Sequence, residues 1–200
     1  MTKGARGGTQ TRERIVETAA GVFSERGFAG ASMRDLLQAT GLQKGGLYNH
    51  FRSKEQLALA SFDWAVHRVE RHFEEALAGV EGSVDRLLAI VEVIRGLIGD
   101  EALPGGCPIL TTAIEADDTM PTLLDKARAA MTRWQWLIGS NAKKGVERGE
   151  LKPDTDPYVV ATIVTATLEG AVFLSKLYDD PAPMHRAVDH VAAYVRGLAA

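Results

Sequence analysis

Residues 43–51, QKGGLYNHF, combine polar side chains suited to nucleic acid with two regularly spaced apolar ones. Leu47 and Phe51 are four residues apart and therefore lie on one side of a helix, which can be buried. A different side carries a cation, a phenol and two amides, supplied by Gln43, Lys44, Tyr48 and Asn49. This two-sided pattern is typical of a short helix that enters the major groove of DNA.

The preceding residues predict the helix that would hold this segment in place. Ser32 followed by Asp35 is a variant of the capping box, and Gly41 marks the end of the helix that Ser32 begins. Two helices joined by a tight glycine turn form a helix-turn-helix, whose second helix fits a major groove about 12 Å wide. Gly45 and Gly46 each destabilise a helix by about 1 kcal/mol relative to Ala. They indicate either a close approach of the backbone to DNA or a frayed first turn.

The first fifty residues form a small predicted core. A helix is expected from Thr9 or Thr11 to Arg26, with Gly27 at its C′ position. Three helices would then share the apolar residues Ile15, Val22, Phe23, Phe28, Leu36, Leu37, Leu42, Leu47 and Phe51. A unit of about 50 residues is marginal alone, so it should pack on the next helix. Residues 1–8 are expected to be irregular, with Lys3 and Arg6 either touching DNA or solvated.

The charge of the chain is divided between its two parts. Through Lys54 there are nine Lys or Arg and four Asp or Glu, a net charge of +5. Because the whole chain carries −3, the remainder carries −8. A basic first quarter on an acidic body indicates that one end of the molecule meets a polyanion.

The remaining residues predict further helices and no strands. We expect helices at 53–78, 83–98, 107 or 108 to 115, 121–148, 157–178 and 183–198. The first begins with a second capping box, formed by Ser53 and Gln56, and the second begins at Ser83. A turn at 117–121 precedes the helix that ends at residue 148. The predicted fold is therefore all-α, with a three-helix DNA-binding domain at 1–54 and a helical ligand-binding and dimerisation domain at 55–200. Nine or so helices are expected in total.

Stripes of small or β-branched residues mark the last two predicted helices, from Pro157 to Tyr178 and from Pro183 to Leu198. The first comprises Ala161, Val164, Thr165, Leu168, Ala171, Val172 and Ser175, and the second Val188, Val191, Ala192, Val195 and Leu198. Such stripes suit close helix packing. Two helices from each of two chains would form a four-helix homodimer interface; alternatively, the stripes close the core of one chain.

Other classes of protein find little support in the sequence. The longest uncharged runs have 13 and 12 residues, below the roughly 20 needed to span a bilayer, and no signal peptide is visible, so a soluble, cytoplasmic protein is expected. The pairs His67/His72 and His185/His190 are each five apart, which does not stack two ligands on one helix face. P-loop, GxGxxG, GxSxG and HExxH motifs are missing. No catalysis, metal or cofactor is predicted; an architectural DNA-binding protein without effector is the other alternative.

Residues 10–60 resemble the N-terminal domain of the tetracycline-repressor (TetR) family, through the helix, the GF turn, the small capped helix and the pattern AxxxGLxKGxLYxHFxSKEQL. The resemblance implies a homodimer of nine- or ten-helix chains that binds a palindromic operator in double-stranded DNA and releases it when a small ligand enters the body. Carried over by position, the residues at DNA would be Ser32, Arg34, Gln43, Lys44, Gly45, Tyr48, Asn49, His50 and Lys54. Tyr48 could instead be packing, and His50 an ordinary surface residue. Gln43 departs from the commoner Ser or Thr, so the cap is weaker or its amide is free for a base.

A ligand cavity is expected among the fourth to eighth helices. Its candidate lining is Trp64, His67, Cys107, Ile114, Met120, Trp134, Leu137 and Phe173; for each of them taken singly, a place in the core is the favoured alternative. Glu169, in an apolar helix, would favour a cationic or hydroxylated ligand if it points inward, or would pair at the dimer seam. Cys107 follows two glycines at a helix start, where the helix dipole would lower its thiol pKa and suit it to sense oxidants; an inert buried thiol is the alternative.

Overall fold

The computed structural model describes residues 3–116 and 120–200, with side chains from residue 8 onward. Within these ranges the chain forms nine α-helices: α1 Lys3–Gly30, α2 Met33–Thr40, α3 Lys44–Tyr48, α4 Lys54–Leu77, α5 Ser83–Gly96, α6 Pro108–Ala116, α7 Pro121–Glu147, α8 Pro157–Tyr178 and α9 Ala182–Gly197. A short 3-10 turn, Leu97–Gly99, follows α5. The predicted all-α class is confirmed.

The first three helices, α1 to α3, form a small unit, here called the head, which has the predicted core. α1 is interrupted at Gly27, whose φ of 73° and ψ of 167° form an extended positive-φ conformation that favours glycine but is not the αL conformation of a typical C′ residue. Ser32 caps α2 by accepting a hydrogen bond from the backbone of Asp35, while the Asp35 carboxylate accepts one from the backbone of Ser32. Gly41, at φ 67°, ends α2 as predicted. The irregular tail was a wrong prediction, since the backbone is helical from Lys3; Met1 and Thr2 lie outside the described residues.

The helix α4 connects the head to the body. Its N-cap, Ser53, accepts a hydrogen bond from the backbone of Gln56 at 3.1 Å. The predicted second capping box is incomplete, because the Gln56 side chain accepts from the backbone of Arg52 at 2.7 Å instead of from Ser53. The buried side of α4 runs its whole length, through Leu57, Ala58, Ser61, Phe62, Ala65, Val66, Val69, Phe73 and Leu77. One helix therefore contributes to the cores of both parts.

The helices α5 to α7 have nearly the predicted bounds. α5 begins at Ser83, as predicted; Gly82 occupies the N-cap position without a side-chain capping bond, and Ser83 is buried as the first helical residue. The Ser83 backbone N–H donates instead to the Glu150 carboxylate at 2.6 Å, which lowers the pKa of Glu150. Arg86 ties the turn after α4 to α7 by donating to the carbonyl of Val80 and to Asn141. Most of the predicted turn at 117–121 lies outside the described residues.

The stripes of small residues on α8 and α9 lie inside the chain. All the named residues of both stripes are buried except Thr165 and Leu198, which are half-buried. They pack α8 against α7 and α9, and α9 against α5. The prediction that these residues form a dimer interface is therefore wrong, and the alternative, closure of the core within one chain, holds. α8 is long and apolar enough to cross a membrane by length and composition, but the stripe side of this helix is packed within the bundle.

Candidate functional site

The short helix α3 presents two different sides, as its spacing predicts. Leu47 and Phe51 are each 1% exposed and anchor the segment in the core of the head. Lys44 and Asn49 are exposed, and Tyr48 is 39% exposed with the Lys44 ammonium 5.9 Å from the centre of its ring. Gln43 occupies the N-cap position without a side-chain capping bond. Its amide is therefore not used by the helix.

An open groove of about 620 Å³ separates α2 from α3 on this side of the head. Predicted residues on its walls are Arg34, Gln43, Lys44 and Tyr48. Gln38, which we did not predict, also lines it, together with Met33. The signal for Gln38 was its position four residues after Arg34, which places both on one face of α2.

The two glycines of α3 have no steric role inside the chain. A Cβ at Gly45 would meet no atom within 4 Å, and one at Gly46 would make an ordinary contact with Leu42 at 3.7 Å. Neither has the positive φ that favours glycine. The absence of a side chain at Gly45 therefore either allows an external partner to approach the backbone closely or has no structural role.

The remaining predicted DNA contacts flank α3. Ser32 is exposed, but its hydroxyl donates to the Asp35 carboxylate at 2.6 Å, and hydrogen bonds from Ser32 lower the pKa of Asp35. Arg34 is exposed, and His50 and Lys54 are half-buried. The Lys54 ammonium lies 3.5 Å from the carbonyl of Ala29. These residues lie at the ends of α2, α3 and α4.

The predicted effector-binding residues do not surround one cavity. Ile114 and Phe173, which are 64% and 49% exposed, lie together in an open groove of about 340 Å³ between α6 and α8. Trp134 is buried, and its ring lies nearly perpendicular to that of Phe73 with 5.2 Å between the two ring centroids. The guanidinium of Arg68 lies over the ring of Trp64. The others are an exposed His67, a half-buried Met120 and Leu137, and a fully buried Cys107. Most of these residues are core or surface.

A further cleft was not predicted. It measures about 960 Å³ and lies between α1, α4 and the end of α5. Its polar residues include Glu17, Arg68, His72, Glu92 and Asp100. Arg68 grips Asp100 with two hydrogen bonds of 2.9 and 3.2 Å. Since these residues are far apart in sequence, no local spacing could have revealed the cleft.

Cys107 and Glu169 face each other in the interior of the body. Burial, together with Glu169, raises the pKa of the Cys107 thiol well above its usual value and outweighs the backbone hydrogen bonds at the start of α6. The expected lowering of this pKa was therefore wrong, because the loss of solvation exceeds the effect of the helix N-terminus. Burial likewise raises the pKa of Glu169 to about 7. Glu169 does point inward, as one alternative required.

Several polar atoms of the body are buried without a partner. They are the Thr112 and Thr165 hydroxyls, the Trp134 indole nitrogen and one Glu169 carboxyl oxygen, on α6, α7 and α8; Thr155 in the linker is a further case. Such atoms in a folded protein call for a bound water or a ligand. Thr112 lines a small cavity of about 20 Å³ between the head and α6, which is large enough for one water molecule.

Metal-ligating side chains do not gather in the part of the chain that the structure describes: no group of three or more His, Cys, Asp or Glu could hold an ion there. The molecule thus presents a basic head with an exposed short helix, attached to a helical body with open clefts. These features define a helix-turn-helix DNA-binding protein.

Comparison with known proteins narrows this class. The family model described as bacterial regulatory proteins of the tetR family matches residues 15–61, and the tetracyclin repressor-like C-terminal domain matches residues 83–191. An HTH-type transcriptional regulator of Mycobacterium tuberculosis is 31% identical over 179 residues, covering 86% of this chain and 88% of the relative. The chain belongs to the TetR family of bacterial transcriptional regulators.

Two further comparisons concern a repressor and a solved structure. The transcriptional repressor NemR of Escherichia coli is 26% identical over 185 residues, covering 90% of this chain and 92% of NemR. The crystal structure of a TetR transcriptional regulator from Chloroflexus aurantiacus matches with a TM-score of 0.92 and 43% identity, covering 97% of this chain and 98% of that one. The similarity thus extends through the body as well as the head.

Replacing Glu169 tests whether its carboxyl is neutral in the folded chain. A pKa of about 7, against an ordinary 4.5, means that the folded state binds the proton more tightly than the unfolded state does. The contribution of Glu169 to the free energy of unfolding is therefore fully present below pH 4.5 and is lost as the pH rises through 7. Glu169→Gln should abolish roughly 2–3 kcal/mol of the loss in unfolding free energy between pH 5 and pH 8. Urea unfolding at both pH values measures this.

The control for this change is Glu74→Gln, which alters an exposed acid on α4 in the same way. It should leave the pH dependence of the wild-type chain unchanged. An equal loss of stability in wild type and Glu169→Gln would show that Glu169 is ionised in the folded state.

Proposed function

We propose that this TetR-family regulator is a homodimeric repressor that binds a palindromic operator through α3 and releases it when a small molecule binds the body. The observation that carries the proposal is the exposed polar side of α3, held in place by the buried Leu47 and Phe51. DNA in bacteria implies a cytoplasmic site of action. Because the relatives are named as transcriptional regulators, we propose no catalytic role.

The proposed contacts follow the chemistry of the side chains. Lys44 and Arg34 supply positive charge for phosphates, Asn49 can donate to and accept from an adenine edge, and Tyr48 offers a hydroxyl. The bare backbone of Gly45 allows α3 to approach the duplex closely. The net charge of +5 on residues 1–54 attracts DNA, and the −8 on residues 55–200 keeps the rest of the molecule away from it. We keep residue 54 as the boundary of the two functional parts.

We place the dimer interface on the outward side of α8. This side carries Val159, Ile163, Phe173, Leu174 and Leu177, which are 41–59% exposed. The two small residues Ala166 and Gly170 lie between them on the same side, and both are exposed. A continuous apolar stripe opposite the buried one suits an isologous contact with the same helix of a second chain. α9 packs beside α8 and would border the contact.

We propose that the effector enters between α6, α7 and α8. The unpartnered buried oxygens and nitrogen of Thr112, Trp134, Thr165 and Glu169 supply hydrogen-bonding groups that the folded chain leaves unused. A ligand with an amine or hydroxyl donor would satisfy Glu169, with a cation favoured when Glu169 is ionised. Cys107 is buried beside Glu169. Because an oxidant cannot reach a buried thiol, the body would have to open before Cys107 could react.

A selection from random DNA duplexes tests the DNA-binding part of the proposal. The full chain should enrich an inverted repeat whose half-sites lie about one helical turn, roughly 34–36 Å, apart. The spacing follows from two α3 helices related by a two-fold axis. Enrichment of a single, unrepeated half-site would contradict the dimeric arrangement, and no enrichment at low salt would contradict DNA binding by this chain.

Two substitutions on α3 separate charge from base recognition on the selected duplex. Lys44→Ala should weaken binding to all sequences and reduce the slope of log K against log salt by about 1. Asn49→Ala should cost roughly 1–3 kcal/mol at one base pair and leave the salt slope unchanged. Fluorescence anisotropy titrations over a salt series measure both. Equal losses on every sequence for Asn49→Ala would assign it to the phosphate backbone.

A charge placed on the outward side of α8 tests the dimer interface. Leu174→Glu and Ile163→Glu each bring like charges together across an isologous contact, so the mass in solution should fall toward the 21.6 kDa of one chain. Sedimentation measures the change. Arg71→Glu, an exposed position on α4, is the control and should leave the mass unchanged. If all three variants keep the mass of the wild-type dimer, the interface lies elsewhere.

A further inference from the structure

The carboxylate of Glu115, in the last turn of α6, contacts the backbone of the head where α1 is interrupted. The break at Gly27 leaves the backbone N–H of Phe28 without a helical acceptor. Phe28 is a buried residue, so its N–H needs a partner inside the chain. Glu115 provides it, accepting the Phe28 N–H at 2.6 Å across 87 residues of sequence. A hydrogen bond to a charged acceptor is stronger than one between neutral groups.

The glycine beside this hydrogen bond makes the contact possible. A Cβ at Gly27 would overlap the Glu115 carboxylate, and the positive φ of Gly27 disfavours other residues independently. Glycine therefore serves both the break in the helix and the close approach of α6. The contact depends on two residues from different parts of the chain.

A second close approach lies next to the first. The backbone N–H of Gly105, just before α6, donates to the Ser24 hydroxyl at 2.9 Å. A Cβ at Gly105 would overlap the backbone carbonyl of Ser24. The body thus forms two neighbouring hydrogen bonds with the end of α1, one between Gly105 and Ser24 and one between Glu115 and Phe28.

Residues 24–28, which these hydrogen bonds hold, lead directly into the DNA-binding helices. The ring of Phe28 stacks on Phe23 of α1 at 5.0 Å, and Arg26 pairs with Asp35 of α2 at 2.6 Å. These two contacts help to set the angle between α1 and α2, and they lie at and beside Phe28, whose backbone Glu115 contacts.

We propose that Glu115 is a positioning residue that holds the helix-turn-helix in its DNA-binding orientation. This inference rests on the proposed function, since it concerns the orientation of a DNA-binding head. The same side chain lines the open groove of about 340 Å³ between α6 and α8, next to Ile114 and Phe173. Glu115 therefore lies between the outer surface of the body and the head.

The test compares Glu115→Ala, which removes the acceptor, with Glu115→Gln, which keeps an oxygen acceptor of the same reach. Hydrogen exchange of the Phe28 amide reports the local bond without DNA, and affinities for the selected and a scrambled duplex report orientation. Glu115→Ala should speed exchange at Phe28 and lower the ratio of specific to non-specific affinity by about fivefold or more, the lower end of ordinary coupling between sites. Glu115→Gln should keep both within about twofold of the wild type, a small change on the same scale.

Glu81→Ala, which removes an exposed acid between α4 and α5, is the matched control and should change neither readout. If Glu115→Ala does not fold, Glu115→Asp keeps the charge but draws the carboxylate back by one methylene, and the same loss is expected of it. A merely structural role would lower the melting temperature and leave the affinity ratio unchanged where the variant is folded.

Three results would overturn the inference. The first is an unchanged affinity ratio in a folded Glu115→Ala or Glu115→Asp chain whose Phe28 amide exchanges faster. The second is a Glu115→Gln chain that loses as much as Glu115→Ala. The third is a wild-type chain without preference between duplexes, which would overturn the proposed function as well and is thereby distinguished from the first two.

Discussion

The continuous burial of one side of α4 is the constraint on which the rest of the structure depends. Its first turns bury Leu57 and Ala58, next to the core of the head, and its last turns bury Phe73 and Leu77 in the body. A head of about fifty residues buries too little surface to be stable alone, so it needs this shared helix. The consequence is mechanical as well as energetic, because any rotation of α4 relative to α6 or α7 must be matched in the head.

The helix bounds and the head could be predicted from the sequence because their determinants are local. Ser32, Asp35, Gly41 and Gly27 act through bonds and dihedral angles within a few residues, and the four-residue spacing of Leu47 and Phe51 gives the buried side of α3. Capping details were less predictable. Ser83 begins α5 as predicted, but its backbone N–H donates to the Glu150 carboxylate from across the chain, which no local pattern encodes.

The choice between the two sides of α8 could not be made from the sequence. Apolar residues occur all round this helix, so periodicity alone gives no preference. Small and β-branched residues such as Ala161 and Val164 allow close approach of α7 and α9, and the chain uses that side for itself. The larger residues, such as Phe173 and Leu177, are left outward. Contacts with α7 and α9, which are distant in sequence or not readable from it, therefore decide which side closes the core and which side is left outward.

The interior of the body shows which electrostatic effect dominates there. At Cys107 the backbone N–H groups at the start of α6 favour a thiolate, but complete burial and the neighbouring Glu169 oppose it and prevail. The same burial favours the neutral form of Glu169, so the two groups are stable together as uncharged donor and acceptor. A cation entering beside them would reverse this balance at Glu169, since a nearby positive charge favours the carboxylate. The interior of the body thus holds a carboxyl and a thiol whose neutral forms are favoured by burial, while the charge of the head is carried by exposed arginines and lysines.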